Sequence, residues 1–377
     1  MSVSKVQFFD YPSIYLRHKS EFNAIFEDVC SRGAFILQKD LKEFESAMQD
    51  FTGIKHVIGV NDGTNAMIVG MNCIGMKDED EVIISGHTYI ATAAAVKLAG
   101  AKPVCADIDQ RGLLCAHSIA KVITPATRAI MPTQLNGECC NMSEIAEIAS
   151  KNDLMIIEDS AQGLGARFSG VHAGGFGKFG TLSFYPAKLI GCFGDGGAIL
   201  TNDDDLYEQA VAYRDHGRSD NGTVKALGTN ARLDNLQAAF LSLRLRNFDE
   251  DMSRRREIAK YYNAILGKSS LFRIPKVSDG NDDYYNVFQN YEIEVSNRED
   301  FQAYLNKAQI GSLIQWGGVP IYKIPSFEDA RSSAETYDKT EQFFDRCIML
   351  PIHMGMTDEH LEYVGKVLTR YIEERAA

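Results

Sequence analysis

The chain alternates short apolar runs with segments of helical periodicity between residues 57 and 201. The apolar runs predict about seven strands, at 57–60, 82–84, 103–108, 129–131, 154–157, 181–185 and 198–201. Helices predicted at 64–73, 92–98 and 143–150 separate several of them. Because such an alternation covers both faces of a sheet, we predict an α/β fold with a mostly parallel, seven-stranded sheet. Sheets of this kind bind ligands at the carboxyl ends of their strands.

The pattern changes after residue 202, where helices predominate. They are predicted at 206–215, 233–247, 251–266, 298–308 and 358–374, with strands near 291–295 and 310–315. A further helix is predicted at 13–30, and polar, glycine-containing loops at 218–228 and 276–284. We therefore predict a large domain over residues 1–247 and a small α+β domain over residues 248–377.

The net charge of −12, from 39 Lys and Arg against 51 Asp and Glu, argues against a nucleic-acid surface, which needs a basic patch. A small anionic ligand is compatible with this charge, because local groups decide its binding. No apolar run approaches the length of a membrane span, and the N-terminus lacks an apolar signal core. We therefore expect a cytoplasmic protein that binds neither nucleic acid nor a membrane.

The eight cysteines and eight histidines are dispersed along the chain. No two cysteines have the CxxC spacing that is typical of zinc and redox sites. The sequence therefore indicates neither a disulfide framework nor a metal site.

One lysine follows the apolar run at 181–185. Pro186 is expected to end that strand, because it has no N–H to donate to the sheet. Lys188 lies two residues further on, at the start of a glycine-rich turn. A lysine at a strand edge is ordinarily a solvated charge. At the carboxyl end of a buried strand, however, its amine can form a Schiff base with a carbonyl compound.

Three other polar or aromatic groups also follow predicted strands. The stretch Asp62-Gly63-Thr64-Asn65 opens a helix, whose free N–H groups attract an anion, although Asp62 or Thr64 can also simply cap the helix. Glu158 and Asp159 leave a strand on opposite faces, so that one of them either binds a ligand cation or serves as a cap or surface charge. Tyr89 either stacks on a flat ligand or packs in the core.

Together these groups match the requirements of pyridoxal phosphate. Its phosphate needs N–H and hydroxyl donors, its ring a stacking partner, its pyridine nitrogen a carboxylate and its aldehyde a lysine. One sheet would supply them all from the ends of its strands.

Six segments carry a family resemblance, GTNAM at 63–67, EDSAQ at 158–162, SFYPAK at 183–188, GDGG at 194–197, NARLDNLQAA at 230–239 and LPIH at 350–353. They are similar to motifs of the DegT/StrS family of sugar-nucleotide aminotransferases, within fold type I of the pyridoxal-phosphate enzymes. The resemblance extends over nearly the whole chain. Ala187, Leu189 and Ala231 stand where the family often has Thr, Asn and Tyr, which weakens assignment to a subgroup.

The resemblance implies a role for each matching residue. Lys188 would form the Schiff base with the cofactor and shuttle a proton to the substrate carbon. Asp159 would pair with the pyridine nitrogen, Gln162 would contact the ring hydroxyl, and Tyr89 would stack on the ring. Asn230 would reach the phosphate from the other subunit, which implies a homodimer with shared active sites. The phosphate ligands in the same subunit would be Gly63, Thr64, Asn65 and Ser183.

The implied reaction transfers an amino group, with glutamate as the expected donor, to a 3- or 4-keto-6-deoxyhexose carried on a nucleotide. We expect dTDP, with UDP or GDP as alternatives, and a role in surface-polysaccharide biosynthesis, for example of lipopolysaccharide. His216 and Arg232 are candidate pyrophosphate contacts, and Trp316 either lines the sugar or base pocket or packs in the core. There are two alternatives to an aminotransferase. A dehydratase of the same fold typically has His at the position of Lys188, so Lys188 argues against it. A non-catalytic, cofactor-binding regulator is disfavoured because the sequence contains no fused DNA-binding module.

Overall fold

A computed structural model describes residues 5–219, 222–278 and 283–375 of the 377-residue chain. Within these ranges the strands are β1 (His56–Val60), β2 (Glu81–Ser85), β3 (Lys102–Ala106), β4 (Thr127–Met131), β5 (Met155–Asp159), β6 (Arg167–Phe168), β7 (Val171–His172), β8 (Phe179–Ser183), β9 (Gly197–Thr201), β10 (Phe272–Arg273), β11 (Tyr284–Tyr285), β12 (Tyr291–Val295) and β13 (Cys347–Leu350). The helices are α1 (Tyr11–Leu16), α2 (Lys19–Arg32), α3 (Lys39–Thr52), α4 (Gly63–Cys73), α5 (Ile90–Leu98), α6 (Ala116–Val122), α7 (Met142–Lys151), α8 (Asp204–Tyr213), α9 (Asn235–Arg246), α10 (Phe248–Leu266), α11 (Arg298–Lys307), α12 (Asp338–Arg346) and α13 (Asp358–Arg375). Short 3-10 helices lie at Leu135–Gly137, Gln315–Gly318, Ile321–Lys323 and Pro325–Ala330.

The main sheet has seven strands in the order β1-β9-β8-β5-β4-β2-β3. Strand β9 runs antiparallel to both of its neighbours, and the other six strands are parallel to one another. This confirms the prediction of a mostly parallel, seven-stranded α/β sheet. The carboxyl ends of the six parallel strands therefore lie at one edge, which we call the sheet edge.

Side chains alternate along the strands between two hydrophobic cores, one on each face of the sheet. In β2, Ile83 belongs to one core, while Val82 and Ile84 belong to the other. Helices α3 and α9 supply Phe44 and Leu241 to the core that contains Ile83. Burial on both faces explains why the strands are continuous apolar runs in the sequence.

Close backbone approach brings the start of β9 against the start of helix α4. A Cβ atom added to Gly197 would lie 2.5 Å from the carbonyl carbon of Asp62 and 2.7 Å from the Gly63 nitrogen. Only glycine fits at such a distance, so this residue fixes how α4 begins beside the sheet edge.

The C-terminal part has its own antiparallel sheet, in the order β10-β12-β13. Its core includes side chains of α10, α11 and α13, and also Val6, whose backbone pairs with Ile310. Tyr337 instead packs in the core of the main sheet and donates its hydroxyl hydrogen to the Cys105 carbonyl at 2.8 Å. The division between residues 247 and 248 stays a prediction; helix α9 ends at Arg246 and α10 begins at Phe248.

Three predicted elements differ from the structure. No strand forms at 310–315, where Ile310 and Leu313 make only isolated bridges and the following residues turn into a 3-10 helix. The helix at 13–30 is two helices, because the backbone of His18 is not helical. Strand β8 ends at Ser183, so Pro186 does not terminate it. Residues 220–221 and 279–282 of the predicted loops lie outside the described residues.

All eight cysteines are free thiols. Across the described ranges, no group of three or more His, Cys, Asp or Glu side chains is arranged to hold a metal ion. Nor does any helix in these ranges combine the length and apolar character needed to cross a membrane.

Candidate active site

Lys188 lies in the loop between β8 and β9, which other parts of the chain hold in place. The Gln289 side chain accepts from the Leu189 N–H at 3.0 Å and donates to the Ala187 carbonyl at 2.9 Å. Arg244 donates to the Leu189 carbonyl at 3.0 Å. These contacts fix the backbone on both sides of Lys188.

The Lys188 side chain is half-buried, and its ammonium group makes no hydrogen bond or ion pair with any residue that the structure describes. Burial lowers the pKa of Lys188 to about 8, and the nearby Asp159 carboxylate opposes that shift. At neutral pH an appreciable fraction of the amine is therefore neutral. A neutral amine can attack a carbonyl carbon or accept a proton, which an ammonium group cannot do.

Asp159 ends β5, the strand next to β8, and is 3% exposed. Its Oδ2 accepts from the Thr92 hydroxyl at 2.6 Å, and its Oδ1 accepts from the Ala161 N–H at 3.1 Å. Thr92 is in turn bonded to Thr88 at 2.7 Å, and Thr88 to Thr133 at 2.8 Å. This chain of hydroxyl groups holds the carboxylate in one orientation.

Glu158, the preceding residue, has a different set of contacts on the opposite face of the strand. Its carboxylate accepts from the Gln134 amide at 2.7 Å and from the N–H groups of Gly174 and Phe176 at 2.8 and 2.7 Å. Burial raises the pKa of Glu158, and these hydrogen bonds oppose the shift. Glu158 therefore stabilises the loop before β8, and Asp159 is the carboxylate near Lys188.

The start of helix α4 forms a cradle for an anion beside Ser183. Asp62 caps the helix, accepting from the Asn65 N–H at 2.8 Å and from the Asn65 side chain at 2.7 Å. The N–H groups of Gly63 and Thr64 bond to none of the residues described. A Cβ atom on Gly63 would lie 3.0 Å from the Ser183 Cβ, so a side chain there would fill the cradle. Two N–H groups, two hydroxyl groups and the helix dipole suit a phosphate.

Gln162 lies in the loop after β5, and its amide orientation is fixed by its neighbours. Its Oε1 accepts from the Asn136 N–H at 2.8 Å and from the Asn290 side chain at 3.2 Å. The amide nitrogen is therefore the side of the group that remains to donate to a ligand.

Tyr89 and Trp316 come together although they are far apart in sequence. Tyr89 follows β2, is about half exposed, and has its ring centroid 6.2 Å from that of Trp316. Trp316 also contacts His87 at 5.1 Å between centroids. Both predicted aromatic residues thus form one wall.

His216, Asn230 and Arg232 form a separate group. Asn230 pairs with Asp215 through the backbone, and Arg232 donates to Asp215 Oδ1 at 2.8 Å. His216 and Asn230 are exposed, and the backbone of Arg232 pairs with Val60 at the end of β1. Among the described residues no hydrogen bond or ion pair joins this group to Lys188 or Asp159.

These residues fit pyridoxal phosphate. The cradle at α4 suits its phosphate, Asp159 can pair with a protonated pyridine nitrogen, Gln162 offers a donor to the ring hydroxyl, and Lys188 offers the amine. Lys188 and Asp159 lie at the carboxyl ends of the adjacent parallel strands β8 and β5, and the anion cradle lies at the carboxyl end of a third strand, β1. This combination is that of an α/β pyridoxal-phosphate enzyme.

The chain belongs to the DegT/DnrJ/EryC1/StrS aminotransferase family, whose model matches residues 17–369. The members of this family use pyridoxal 5'-phosphate. One relative is the UDP-2-acetamido-2-deoxy-3-oxo-D-glucuronate aminotransferase of Pseudomonas aeruginosa, 34% identical over 97% of this chain and 99% of its own. Another is the dTDP-3-amino-3,6-dideoxy-alpha-D-galactopyranose transaminase of Aneurinibacillus thermoaerophilus, 35% identical over 97% of this chain and 99% of its own.

The fold is also that of a solved structure, NtdA of Bacillus subtilis with its bound cofactor PMP. The TM-score is 0.89 at 26% sequence identity, over 99% of this chain and 86% of that chain. The bound form of the cofactor in that neighbour agrees with pyridoxal phosphate as the cofactor here.

Sequence reasoning missed the polar side chains that support the site. The hydroxyl groups of Thr88, Thr92 and Thr133 carry no motif, and only their place after strands β2 and β4 could have indicated them. Asn136, Gln289 and Asn290 reach the site through long-range contacts. No local signal in the sequence marks these three residues.

Proposed function

We propose that this protein transfers an amino group from glutamate to a keto sugar carried on a nucleoside diphosphate, with Lys188 as the acid–base residue. The observation that carries the proposal is the half-buried Lys188 amine, with its pKa lowered to about 8, next to the strand that ends in Asp159. An amine with such a pKa is suited to accept and return a proton near neutral pH.

When bound, pyridoxal phosphate supplies an electron sink for the reacting carbon. The chain's own residues would hold it and manage the protons. Gly63, Thr64 and Ser183 would hold the phosphate, and Asn65 would position Asp62, which caps the helix there. Asp159, held by Thr92 and the Ala161 N–H, would keep the pyridine nitrogen protonated. Lys188 would move the proton at the substrate carbon.

The nucleotide and the sugar are proposals of their own. The two relatives are named for UDP- and dTDP-linked sugars, and both names place the oxo or amino group at C3. We therefore propose a dTDP- or UDP-linked 3-keto sugar, and we retain dTDP and a 6-deoxyhexose as the first choice. A role in surface-polysaccharide biosynthesis would follow from such a product.

We further propose that the active site is shared between two copies of the chain. Asn230 and His216 are exposed on the protomer, and Arg232 lies at the end of β1 with its charge held by Asp215. These positions suit contacts across a subunit interface, to the partner's cofactor phosphate or to a substrate pyrophosphate. Mixing inactive Lys188→Ala protein with an inactive Asn230→Asp protein should then restore about a quarter of the activity, because half of the dimers are hybrids with one intact site. A fully active monomer in sedimentation would contradict the shared site.

The test of the function is a substrate panel. Purified protein is incubated with glutamate and with dTDP-, UDP- and GDP-linked 3-keto and 4-keto hexoses, and amino-sugar and 2-oxoglutarate formation is read by mass spectrometry. We expect turnover with a dTDP- or UDP-linked sugar and little with the free sugar, because the nucleotide supplies binding energy. Equal kcat/KM for free and nucleotide-linked sugars would refute the substrate class.

A further inference from the structure

A buried carboxyl group lies in the C-terminal part, between the cofactor site and the aromatic wall. Glu292 belongs to β12, and its side chain is 4% exposed. Its Oε2 accepts from the Asn136 side chain at 2.6 Å and from the Gln315 side chain at 2.8 Å. Its Oε1 is buried and has no hydrogen-bond partner within the described ranges. One of the two carboxyl oxygens, Oε1, is thus an unpaired buried acceptor.

The imidazole of His87 is a second buried acceptor beside the first. Its Nδ1 lies 2.8 Å from the Gly112 carbonyl, which can only accept, so Nδ1 carries the proton. The Nε2 atom of the neutral ring therefore has a free lone pair, and it lies 3.9 Å from Glu292 Oε2 without a partner among the described residues. The rings of Trp316, Phe343 and Phe344 surround it.

Glu292 Oε1 and His87 Nε2 are thus two buried acceptors without a donor, which is unfavourable, most of all for a charged carboxylate. One proton on the carboxyl group removes its charge, and with it most of the cost of burying an oxygen that has no donor. Among the other titratable groups near Glu292, the Glu294 charge also favours the protonated form, whereas the Cys347 thiol favours the charged form; burial is the largest single influence. Burial raises the pKa of Glu292 to about 7 and lowers that of His87 to about 4, which agrees with a proton on the carboxyl group.

The contacts of Glu292 extend to both sides of the reaction site. Asn136, which donates to Glu292, also holds Gln162 through its backbone N–H. Gln315 precedes Trp316, whose ring forms a wall with Tyr89. Gln315 also donates to Asn136 at 2.7 Å, which closes the network. A change at Glu292 is therefore transmitted to the cofactor-facing amide and to the aromatic wall together.

We propose that Glu292 is a protonated positioning residue, which holds Asn136 and Gln315 so that Gln162 and Trp316 keep their orientations. The positioning part rests on the proposed function, because it concerns the same site. The proton itself can be tested without any turnover.

The first test measures thermal unfolding of the cofactor-free protein between pH 5 and 8. The folded-state pKa of Glu292 lies above its ordinary value of 4.5, so its contribution to stability is present below pH 4.5 and is lost as the pH rises to about 7. Glu292→Gln does not titrate and has no such loss. The melting temperature of Glu292→Gln minus that of wild type should therefore increase as the pH is raised from 5 to 8. The control Glu294→Gln, on the same strand and paired with Arg273, should keep the wild-type trend. A constant difference between Glu292→Gln and wild type would refute the buried proton.

The second test uses the cofactor-loaded protein at pH 7. Glu292→Gln keeps a neutral group with a donor and an acceptor, so it should retain the visible absorption maximum and kcat of wild type. Glu292→Leu should shift the absorption maximum and lower kcat about tenfold or more. Gln315→Leu removes the contacts of Gln315 to Glu292 and Asn136 but leaves the Asn136–Glu292 contact, so it should produce a smaller change of the same kind. It replaces Glu292→Leu if that variant does not fold. Wild-type absorption and kcat in the leucine variants would refute positioning, whatever the first test gives.

Discussion

The sheet edge and the C-terminal cluster of Glu292, Gln315 and Trp316 are both polar, but different features of the chain build them. At the sheet edge, Asp159 ends one strand and Lys188 follows its parallel neighbour, so the topology places them at the same edge, and Gln289 and Arg244 then fix the Lys188 loop. The C-terminal cluster depends on a turn in which Trp316 and Gly317 have φ values of +49° and +69°, and on backbone pairing of Leu313 with Met349. The proposed catalytic groups therefore occupy the part of the fold that topology determines. The groups expected to adjust substrate fit and orientation occupy the irregular part.

The largest expected effect is at the sheet edge, with Lys188→Ala. Turnover should fall on the order of 10⁴-fold, because Lys188 is the proposed acid–base residue of the reaction. Borohydride reduction of the wild-type holoenzyme, followed by peptide mass spectrometry, should place the cofactor on Lys188. Lys178→Ala removes an exposed lysine ten residues away and should leave kcat unchanged. Cofactor attached to another lysine would contradict the assignment.

The second prediction separates two adjacent carboxylates on β5. Asp159→Asn should keep the fold but lower kcat about a hundred- to a thousandfold, since an amide cannot hold a proton on the pyridine nitrogen. Glu158→Gln should leave kcat per folded molecule nearly unchanged and lower the free energy of unfolding by about 1–3 kcal/mol, because its amide hydrogens face N–H donors. Kinetics and urea unfolding of both variants test this. Near-normal kcat in Asp159→Asn would refute its role.

The same contrast explains what the sequence could predict. The apolar runs and the glycines at strand ends identify the sheet and the positions of Lys188 and Asp159, because a parallel sheet leaves few choices. The Glu292–Asn136 contact joins residues 156 positions apart, and neither residue lies in a recognisable motif. The expected strand at 310–315 was wrong for a related reason, since Ile310 pairs with Val6 at the opposite end of the chain and with no neighbouring strand.

The third prediction concerns the stability of the cofactor-free protein. The folded-state pKa of Lys188, about 8, lies below its ordinary value of 10.5, so burying this lysine costs stability below pH 8 and the cost disappears as the pH rises to 10.5. Lys188→Met should therefore be more stable than wild type at pH 7, on the order of 2 kcal/mol. The difference should shrink at pH 9.5, as measured by denaturant unfolding. An equal difference at both pH values would show that the amine titrates normally in the fold.

The smallest expected effect lies in the C-terminal cluster, with Trp316→Ala. If Trp316 lines the sugar or base pocket, its removal should raise the KM for the nucleotide sugar about tenfold, which corresponds to about 1.4 kcal/mol of lost contact. The KM for glutamate, the proposed donor, should be unchanged, because in the proposed reaction only the nucleotide-linked sugar is large enough to need the aromatic wall. Trp316→Phe keeps an aromatic ring against Tyr89 and should recover most of the affinity.

Steady-state kinetics with each substrate varied in turn measures both constants. A parallel rise in both KM values, with a lower melting temperature, would instead indicate that Trp316 packs against His87 as part of the core. In that case the C-terminal cluster would not contact the substrate, and it would affect the site only through the hydrogen bonds of Glu292 with Asn136 and Gln315. An unchanged KM for both substrates would remove the aromatic wall from substrate binding and leave the sheet edge as the whole of the site.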